Sequence, residues 1–280
     1  MPDDMQDIEF TDQDFERVRT LLRTRVGISL NPSKRQLVYN RLAKRVREFG
    51  HHGFADYLDQ IDQDKEEQER FINALTTNLT SFFREEHHFP ALADYLQTLP
   101  ERAPIQIWCA ASSTGEEPYS IAITALEALG EAALRRVSIL ASDLDTHVLD
   151  KAQRGVYRLE QLAKIPKEIL RRYFLKGRGQ HAGFGRVRPE VQSMITFRQI
   201  NLLDSNWPVK GPLDAIFCRN VMIYFDKPTQ LHIIEKFLPL MSDKARLFVG
   251  HSESFSNATH LIRLCGRTIY QKASATESPS

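Results

Sequence analysis

Residues 105–120 read IQIWCAASSTGEEPYS, and this stretch decides the fold of the larger part of the chain. Ile105–Cys109 is a short apolar run of the kind that forms a buried β-strand, and Pro118–Leu129 has the periodicity of an α-helix. Small residues fill the connection between them, so a ligand can approach the backbone beside the N-terminus of the helix. The stretch therefore predicts a binding site at the carboxyl end of the first strand of an α/β sheet.

Strand-like segments recur downstream and alternate with helical segments. They lie at residues 137–142, 195–199, 215–218, 247–250 and 268–271. This alternation predicts a parallel, doubly wound sheet. The glycine-rich residues 171–195 interrupt the rhythm and predict a small antiparallel β-subdomain inserted in the sheet domain. The small, polar tail at 273–280 is expected to be disordered.

The first part of the chain shows helical signals and no strand pattern. Thr11 begins an N-capping pattern, and Gly27 is a typical end for the helix that follows it. Further helices are predicted at residues 31–49, 54–62 and 65–76. We therefore expect a helical domain with its linker over residues 1–85 and a sheet domain over residues 86–280.

Charge is unevenly distributed, although the chain carries 37 basic and 36 acidic residues and a net charge of +1. Residues 17–47 hold ten basic residues and no acidic one, whereas residues 56–70 hold seven acidic residues. On the second predicted helix, an arc of about 100° contains a basic ridge formed by Lys34, Arg41, Lys44 and Arg45. This ridge either faces an acidic partner or pairs with residues 56–70 inside the domain. Nucleic acid is disfavoured as a partner, because no aromatic residues are interleaved with these charges.

Composition excludes several classes of protein. The longest apolar runs are far shorter than the ~20 residues of a membrane span, and the acidic N-terminus is unlike a secretory signal. Three cysteines without a CxxC pair disfavour a disulfide framework or a cysteine-based zinc site, so a cytoplasmic location is expected. The histidine pairs His51-His52 and His87-His88 are expected at the surface, and no metal site is predicted.

Acidic residues lie at the N-terminus of the helix after the first strand, where a phosphate-binding site would need backbone N–H groups free of nearby negative charge. Glu116 and Glu117 begin the helix after the first strand, where they would repel a phosphate and attract an ammonium group. Asp143 ends the second strand, and a carboxylate there can accept hydrogen bonds from two ribose hydroxyls. A ribose with a zwitterionic group and no phosphate favours S-adenosylmethionine over NAD or ATP. The alternative is that these acids only complement the helix dipole.

Six segments of the chain together resemble the CheR family of chemotaxis receptor methyltransferases. They are TNLTSFFR (77–84), ASSTGEEPYS (111–120), SDLD (142–145), FRQINLL (197–203), FCRNVMIYF (217–225) and GHSES (250–254). The resemblance extends from about residue 8 to residue 272. It implies a Rossmann-like class I methyltransferase domain, an N-terminal all-helical domain and the small inserted antiparallel β-subdomain.

The resemblance also implies a reaction and the residues that carry it. The family transfers the methyl group of S-adenosylmethionine to glutamate side chains of the cytoplasmic helical bundle of chemoreceptors, leaving S-adenosylhomocysteine. Catalytic roles are implied for Arg84 and Tyr224. Cofactor contacts are implied for Asn78, Thr80, Arg84, Ala111, Glu117, Asp143, Asn201, Leu202, Arg219 and Asn220. The motif alone does not decide whether Glu116 or Glu117 holds the methionyl amine, and Glu117 is favoured because it begins the helix.

Partners and alternative functions follow from the same resemblance. The basic ridge is expected to recognise a glutamate-rich receptor helix, and in some family members the β-subdomain docks a peptide at the receptor's C-terminus. A monomer without membrane insertion is expected. The alternative function is a non-catalytic signalling module that binds S-adenosylmethionine. A nucleic-acid methyltransferase is disfavoured, because residues 219–222 (RNVM) replace the Asn/Asp-Pro-Pro-Tyr type of loop.

Overall fold

The computed structural model describes residues 8–76 and 79–273, which belong to two compact units. The helical unit lies within Met1–Thr77 and is joined by Tyr224–Asp226. The sheet unit comprises Asn78–Ile223 and Lys227–Ser280. The segment before residue 86, which the sequence pattern assigns to the linker, thus belongs to the sheet unit from residue 78 onward.

The described residues of the helical unit form the helices α1 (Asp12–Val26), α2 (Arg35–Glu48), α3 (Phe54–Ile61) and α4 (Lys65–Leu75). The Thr11 hydroxyl accepts the N–H of Asp14 and the Asp14 carboxylate accepts the N–H of Thr11, which makes the predicted capping box. Gly27 ends α1 at φ 68°. The second helix starts later than predicted, because Pro32–Lys34 forms a 3-10 turn before Arg35. The apolar faces of these helices are buried and include Val18, Leu22, Val38, Leu42, Leu58 and Ile61.

The sheet unit is built on seven strands. They are β1 (Ile105–Cys109), β2 (Val137–Asp143), β6 (Ile195–Gln199), β7 (Leu213–Cys218), β8 (Met241–Val249), β9 (Ile262–Gly266) and β10 (Ile269–Lys272). Their order is β6-β2-β1-β7-β8-β10-β9, and the neighbours from β6 to β8 run parallel. The predicted Rossmann-like class I sheet is confirmed. At one edge, however, β10 lies antiparallel between β8 and β9, and β9 was not predicted.

The strand order reverses at β1, with β2 and β6 on one side and β7 and β8 on the other. Ligands bind at the carboxyl ends of strands at such a switch point. Outside the inserted subdomain, the described residues of this unit form the helices α5 (His88–Thr98), α6 (Glu116–Leu129), α7 (Ala133–Arg136), α8 (Thr146–Arg154) and α12 (Lys227–Phe237). Helix α6 packs against α5 and β2. Among the described residues, no helix is both long and apolar enough to span a lipid bilayer.

A second, antiparallel sheet forms the predicted inserted subdomain. Its strands are β3 (Val156–Arg158), β4 (Phe174–Lys176) and β5 (Phe184–Val187), in the order β3-β5-β4. The short helices α9 (Leu159–Leu162), α10 (Lys167–Tyr173) and α11 (Pro189–Gln192) lie between or after these strands. The sequence prediction of 171–195 contains β4 and β5 but misses β3, which precedes it.

Candidate active site

The loop after β1 is held at the switch point by both neighbouring strands. The N–H of Ala110 donates to the carbonyl of Phe217 in β7 at 2.8 Å, and the N–H of Ser112 donates to the carbonyl of Ser142 in β2 at 2.8 Å. Ala111, a predicted cofactor contact, is half-buried between these two anchors. The backbone of the loop therefore has a fixed position beside the carboxyl ends of three strands.

Asp143 ends β2 next to this loop. Its Oδ2 accepts the N–H of Ser113 at 2.8 Å, and its Oδ1 accepts the N–H of Asp145 at 3.1 Å. Burial raises the pKa of the Asp143 carboxyl, and these backbone N–H groups oppose the shift. Each carboxylate oxygen has two lone pairs, so the side chain retains acceptor capacity for two further donors. The two hydroxyls of a ribose match that capacity.

Glu117 lies in the first turn of α6 and forms a buried ion pair with Arg219, which follows β7. Arg219 Nη1 is 2.8 Å from Glu117 Oε2, and the thiol of Cys109 approaches Glu117 Oε1 at 3.4 Å. Burial raises the pKa of the Glu117 carboxyl, and the positive charge of Arg219 counteracts this shift. Because a thiol is a weak donor, Oε1 remains available to a stronger one such as an ammonium group.

Glu116, the neighbouring acid, binds a different set of partners. Its Oε2 accepts the Thr114 hydroxyl at 2.6 Å, and its Oε1 accepts the side-chain amide of Gln161 in α9 at 3.3 Å. Burial raises the pKa of the Glu116 carboxyl, against the effect of the Thr114 hydrogen bond. The two glutamates that the sequence leaves as alternatives thus have different partners: Glu117 pairs with the cation of Arg219, whereas Glu116 binds the uncharged Thr114 and Gln161.

Arg84 lies in a strained segment before α5. Its Nη1 donates to the carbonyl of Leu79 at 2.8 Å, and its own carbonyl accepts Arg219 Nη2 at 2.5 Å. Phe83 and Glu85 on either side have positive φ values of 53° and 56°. Such a conformation costs a non-glycine residue about 1–3 kcal/mol and is frequent at active sites. The backbone around Arg84 is therefore held in place at an energetic cost.

Glu85 joins three elements of the site, although the sequence pattern does not single it out. Its Oε1 accepts Asn220 Nδ2 at 3.2 Å and the N–H of His251 at 3.2 Å, while its Oε2 lies 3.5 Å from Arg219 Nη2. Burial would raise the pKa of Glu85, but the hydrogen bond from the His251 ring and the charge of Arg219 outweigh it and lower the pKa to about 2. Arg219 is thus placed between two carboxylates, those of Glu85 and Glu117.

Asn220, a predicted cofactor contact, has a positive φ of 58°. Its N–H donates to the buried carboxylate of Glu253 at 3.0 Å. The same carboxylate accepts the N–H groups of Val221 at 3.0 Å, Met222 at 2.7 Å and Gly250 at 2.5 Å. Glu253 lies inside the GHSES segment but was not identified as a site residue from the sequence.

The histidine pair at 87–88 differs from the predicted surface location. His88 is fully buried, and its Nε2 is 2.8 Å from the hydroxyl of Thr268. Burial, followed by the charge of Arg219, lowers the pKa of His88 to about 3, so the ring is neutral. Among the described residues, Glu85, His87 and His88 bring ligand atoms within 4.8 Å of one another, which could hold a metal ion. The guanidinium of Arg219 beside Glu85 opposes a divalent cation there, and the metal-free site remains a prediction.

The remaining cofactor candidates fall into two groups, one after strand β6 and one shortly before Arg84 in the chain. Asn201 and Leu202 follow β6, the parallel neighbour of β2, and therefore lie at the same sheet edge as Asp143. Thr80 is half-buried, whereas Asn78 lies outside the described residues. The structure thus brings one group of the candidates to the carboxyl edge of the sheet: Ala111, Glu117, Asp143, Asn201, Leu202, Arg219 and Asn220.

Tyr224, the second catalytic candidate, belongs to the helical unit. It ends the 3-10 turn Met222–Tyr224, and its carbonyl accepts the N–H of Ser29 at 2.8 Å. Tyr224 is half-buried. Only three residues separate it in the chain from Asn220, so the loop after β7 leads directly into this turn.

Three residues of the basic ridge lie on α2, whereas Lys34 lies in the 3-10 turn before it, contrary to the single helix predicted. Lys34 and Lys44 are exposed, and Lys44 lies 3.7 Å from Glu48 on the same helix. Arg45 donates from Nε and Nη2 to the two oxygens of Glu67 at 2.6 and 2.5 Å, and Glu67 also accepts the Tyr57 hydroxyl at 2.6 Å. This pairing raises the pKa of the Arg45 guanidinium. For Arg45, the structure shows the internal pairing with residues 56–70 that the sequence leaves open.

Arg41, the fourth residue of the basic ridge, binds the end of α4. Its Nη1 donates to the carbonyls of Leu75 at 3.0 Å and Thr76 at 2.8 Å. A cation at the C-terminus of a helix is stabilising, because it binds carbonyls that have no partner within the helix. Arg41 therefore contributes to the fold of the helical unit.

Comparisons with known proteins identify the family. The model described as "CheR methyltransferase, all-alpha domain" matches residues 13–76, and "CheR methyltransferase, SAM binding domain" matches residues 78–271. The chemotaxis protein methyltransferase 2 of Pseudomonas aeruginosa is 52% identical over 269 residues, which cover 96% of each chain. The chemotaxis protein methyltransferase of Escherichia coli is 47% identical over 265 residues, which cover 94% of this chain and 92% of the relative. This chain therefore belongs to the CheR family of S-adenosylmethionine-binding methyltransferases.

Proposed function

We propose that this protein methylates glutamate side chains in the cytoplasmic domain of chemoreceptors, for adaptation in bacterial chemotaxis. The products are glutamate methyl esters and S-adenosylhomocysteine. The observation that carries the proposal is the similarity to proteins named chemotaxis protein methyltransferases, which extends over 96% and 94% of the chain. A monomer that acts in the cytoplasm is part of the proposal.

The donor set at the switch point fits S-adenosylmethionine, which supplies an electrophilic methyl group on a sulfonium centre. In this proposal Asp143 accepts the ribose hydroxyls and Glu117 Oε1 accepts the methionyl ammonium. Burial disfavours the ionised form of Glu117 and raises its pKa, whereas the charge of Arg219 favours the ionised form, as a bound ammonium group would. The other proposed contacts are Asn78, Thr80, Arg84, Ala111, Asn201, Leu202, Arg219 and Asn220.

The chemistry demands orientation rather than acid–base catalysis. A glutamate carboxylate has an ordinary pKa near ~4.3, so the acceptor is ionised at neutral pH and no general base is required. The protein must remove water from this carboxylate and align one of its oxygens with the methyl carbon. Arg84 and Tyr224 are suited to hold the other oxygen, since they offer a fixed cation and a neutral hydroxyl.

The receptor surface is proposed to include the basic ridge. Lys34 and Lys44 are exposed and available to the glutamate-rich receptor helix, while Arg41 and Arg45 add positive charge from their positions within the helical unit. Charge complementarity of this kind contributes association rate and register. The inserted subdomain, with strands β3, β4 and β5, is the proposed docking place for a receptor C-terminal peptide.

The proposed function can be tested by incubating the protein with methyl-labelled S-adenosylmethionine and a purified receptor cytoplasmic fragment. Label should enter the receptor and be released by mild alkali, because an ester is base-labile and an N-methyl group is not. A fragment whose methyl-accepting glutamates are changed to alanine should remain unlabelled. Alkali-stable label would contradict glutamate esterification. Cofactor binding without any transfer would instead support the non-catalytic signalling module.

Variants of the two proposed catalytic residues complete this experiment. Arg84→Ala and Tyr224→Phe should lower turnover at saturating cofactor and receptor, with the larger loss for Arg84. Arg70→Ala is the matched control, because Arg70 is an exposed arginine that pairs with the exposed Glu66 at 3.4 Å on the surface of α4. Wild-type turnover in Arg84→Ala would exclude the proposed role.

A further inference from the structure

The loops that follow β7 and β8 are joined through one side chain, the carboxylate of Glu253. Its Oε1 accepts the N–H groups of Val221 and Met222, and its Oε2 accepts those of Asn220 and Gly250. In the reverse direction, the N–H of Glu253 donates to the carbonyl of Gly250 at 2.9 Å. A single buried residue thus fixes the backbone of both loops.

The charge of this carboxylate is balanced by backbone dipoles. Within residues 8–76 and 79–273, no lysine, arginine or histidine forms an ion pair with Glu253. Burial raises the pKa of its carboxyl, and the backbone N–H groups oppose that shift. Successive N–H groups that converge on one anion form a nest, which is a site built for negative charge. The positive φ of Asn220 creates this convergence by turning three consecutive N–H groups toward one side.

The loops after β7 and β8 lie so close at Asn220 and Gly250 that there is no room for a side chain at Gly250. A Cβ added at Gly250 would lie 2.4 Å from Asn220 Nδ2 and 3.0 Å from the Asn220 backbone nitrogen. Asn220 Nδ2 in turn donates to Glu85 at 3.2 Å. Asn220 is therefore fixed on its backbone by Glu253 and on its side chain by Glu85.

We propose that Glu253 is a positioning residue for methyl transfer. By fixing residues 220–222, it sets Arg219 and Asn220 at the cofactor. It acts through these residues and itself contacts neither substrate. The inference rests on the proposed cofactor roles of Arg219 and Asn220.

Glu253→Gln is the principal test, because it preserves size but places an NH₂ donor against two N–H donors. The Kd for S-adenosylhomocysteine should rise about tenfold or more and kcat should fall by a similar factor, because two backbone N–H groups would face a donor and the loop would leave its position. The KM for the receptor fragment should stay unchanged. Glu253→Asp keeps two acceptor oxygens and should recover part of kcat.

Asp214→Asn is the matched control. Asp214 is a half-buried carboxylate near the opposite end of β7, where its Oδ2 accepts the N–H of Gln106 at 2.9 Å. This variant should lower the melting temperature without changing the Kd for S-adenosylhomocysteine or kcat. If Glu253→Gln loses stability in the same way and keeps both constants, Glu253 is only structural and the proposal is overturned.

Two further variants distinguish a failure of the proposed cofactor role of Asn220 from a failure of the positioning role of Glu253. Asn220→Ala tests the cofactor role of Asn220 directly, and an unchanged Kd there would contradict that part of the proposed function rather than the role of Glu253. Should Glu253→Gln fail to fold, Glu253→Asp decides the question. Wild-type Kd and kcat in folded Glu253→Asp, together with rapid amide exchange at residues 220–222 of the wild-type protein, would overturn the positioning role.

Discussion

Two buried arginine–carboxylate clusters, one in each unit, differ in how completely their charges are paired. In the helical unit, Arg45 and Tyr57 bind Glu67 so that both oxygens of this carboxylate have donors. In the sheet unit, Arg219 is shared by two carboxylates, Glu117 and Glu85. In the first cluster, one buried carboxylate faces the arginine, whose other ion pair is with the exposed Glu48 at 3.7 Å, and we call this cluster balanced. In the second, unbalanced cluster, two largely buried carboxylates share one arginine.

The unbalanced cluster also has unused hydrogen-bonding atoms. Among the described residues, Arg219 Nε and Glu85 Oε2 are buried without a hydrogen-bond partner, and Glu117 Oε1 has only the thiol of Cys109. Unmet buried polar groups cost free energy, which a ligand can recover when it binds. Complete pairing therefore contributes stability, and incomplete pairing leaves capacity for a cationic ligand. This difference predicts opposite consequences for mutation in the two clusters.

The largest expected effect is on stability, in the balanced cluster. Glu67→Gln leaves the partly buried charge of Arg45 without its partner, so the free energy of unfolding should fall by about 3 kcal/mol. The Kd for S-adenosylhomocysteine should not change. Urea denaturation and calorimetry measure the two quantities. The control is Glu66→Gln on the exposed side of the same helix, which should alter stability by less than about 0.5 kcal/mol.

Next in size is an effect on binding, in the unbalanced cluster. Glu117→Gln removes the charge proposed to hold the methionyl ammonium, so the Kd for S-adenosylhomocysteine should rise about 10–100-fold. Glu116→Gln replaces one of the two oxygens that accept from Thr114 and Gln161 with an NH₂ donor, so it should lower stability while leaving the Kd near its wild-type value. The reverse pattern of affinities in calorimetry would assign the ammonium to Glu116 instead.

The buried His88 beside Arg219 should make stability depend on mildly acidic pH. Its pKa is lowered from 6.5 to about 3, so between these values the unfolded chain binds a proton that the folded protein does not. The contribution of His88 to stability is therefore complete well above pH 6.5 and is lost as the pH falls, by about 2 kcal/mol between pH 6.5 and 5. Glu85, with a pKa lowered from 4.5 to about 2, adds a separate loss only at lower pH.

Urea denaturation across this pH range isolates the contribution of His88. His88→Leu should flatten the slope of unfolding free energy against pH, whatever its effect on absolute stability. His232→Gln removes an exposed histidine whose side chain is 63% accessible, and it should preserve the slope. A slope in His88→Leu equal to that of the wild type would contradict the assignment.

The sequence predicts the parallel strands well because they are apolar runs between turns, but it fails at two short strands. Strand β9 reads IRLCG, too short for its alternation of Ile262 and Leu264 to be distinguished from chance, and Leu264 is exposed. Strand β3 has only three residues, too few for a period to be visible. Both strands are defined by pairing with distant neighbours rather than by their own pattern.

The site was predictable where function requires a particular residue at a strand end, as at Asp143. The carboxylates that hold other site residues in place were not predictable, because their partners are distant in the chain. Glu85, for example, binds Asn220 across 135 positions. The sequence also could not tell apart the roles of two adjacent residues, Glu116 and Glu117. Adjacent residues on a helix point about 100° apart, and only the folded chain shows which of the two reaches Arg219.

The smallest expected effect concerns the part of the basic ridge that is free of the balanced cluster. Lys34→Glu combined with Lys44→Glu should slow receptor methylation several-fold at low ionic strength, because these exposed charges contribute to association. The difference in rate between this variant and the wild type should shrink at physiological salt, where the screening length falls to ~8 Å. Stability and cofactor affinity should stay at wild-type values. Arg41→Glu with Arg45→Glu should instead lower the melting temperature, because Arg45 binds Glu67 and Arg41 binds the end of α4. A lysine double variant that methylates receptor at the wild-type rate in low salt would remove the ridge from the receptor surface, leaving the inserted subdomain as the region to test.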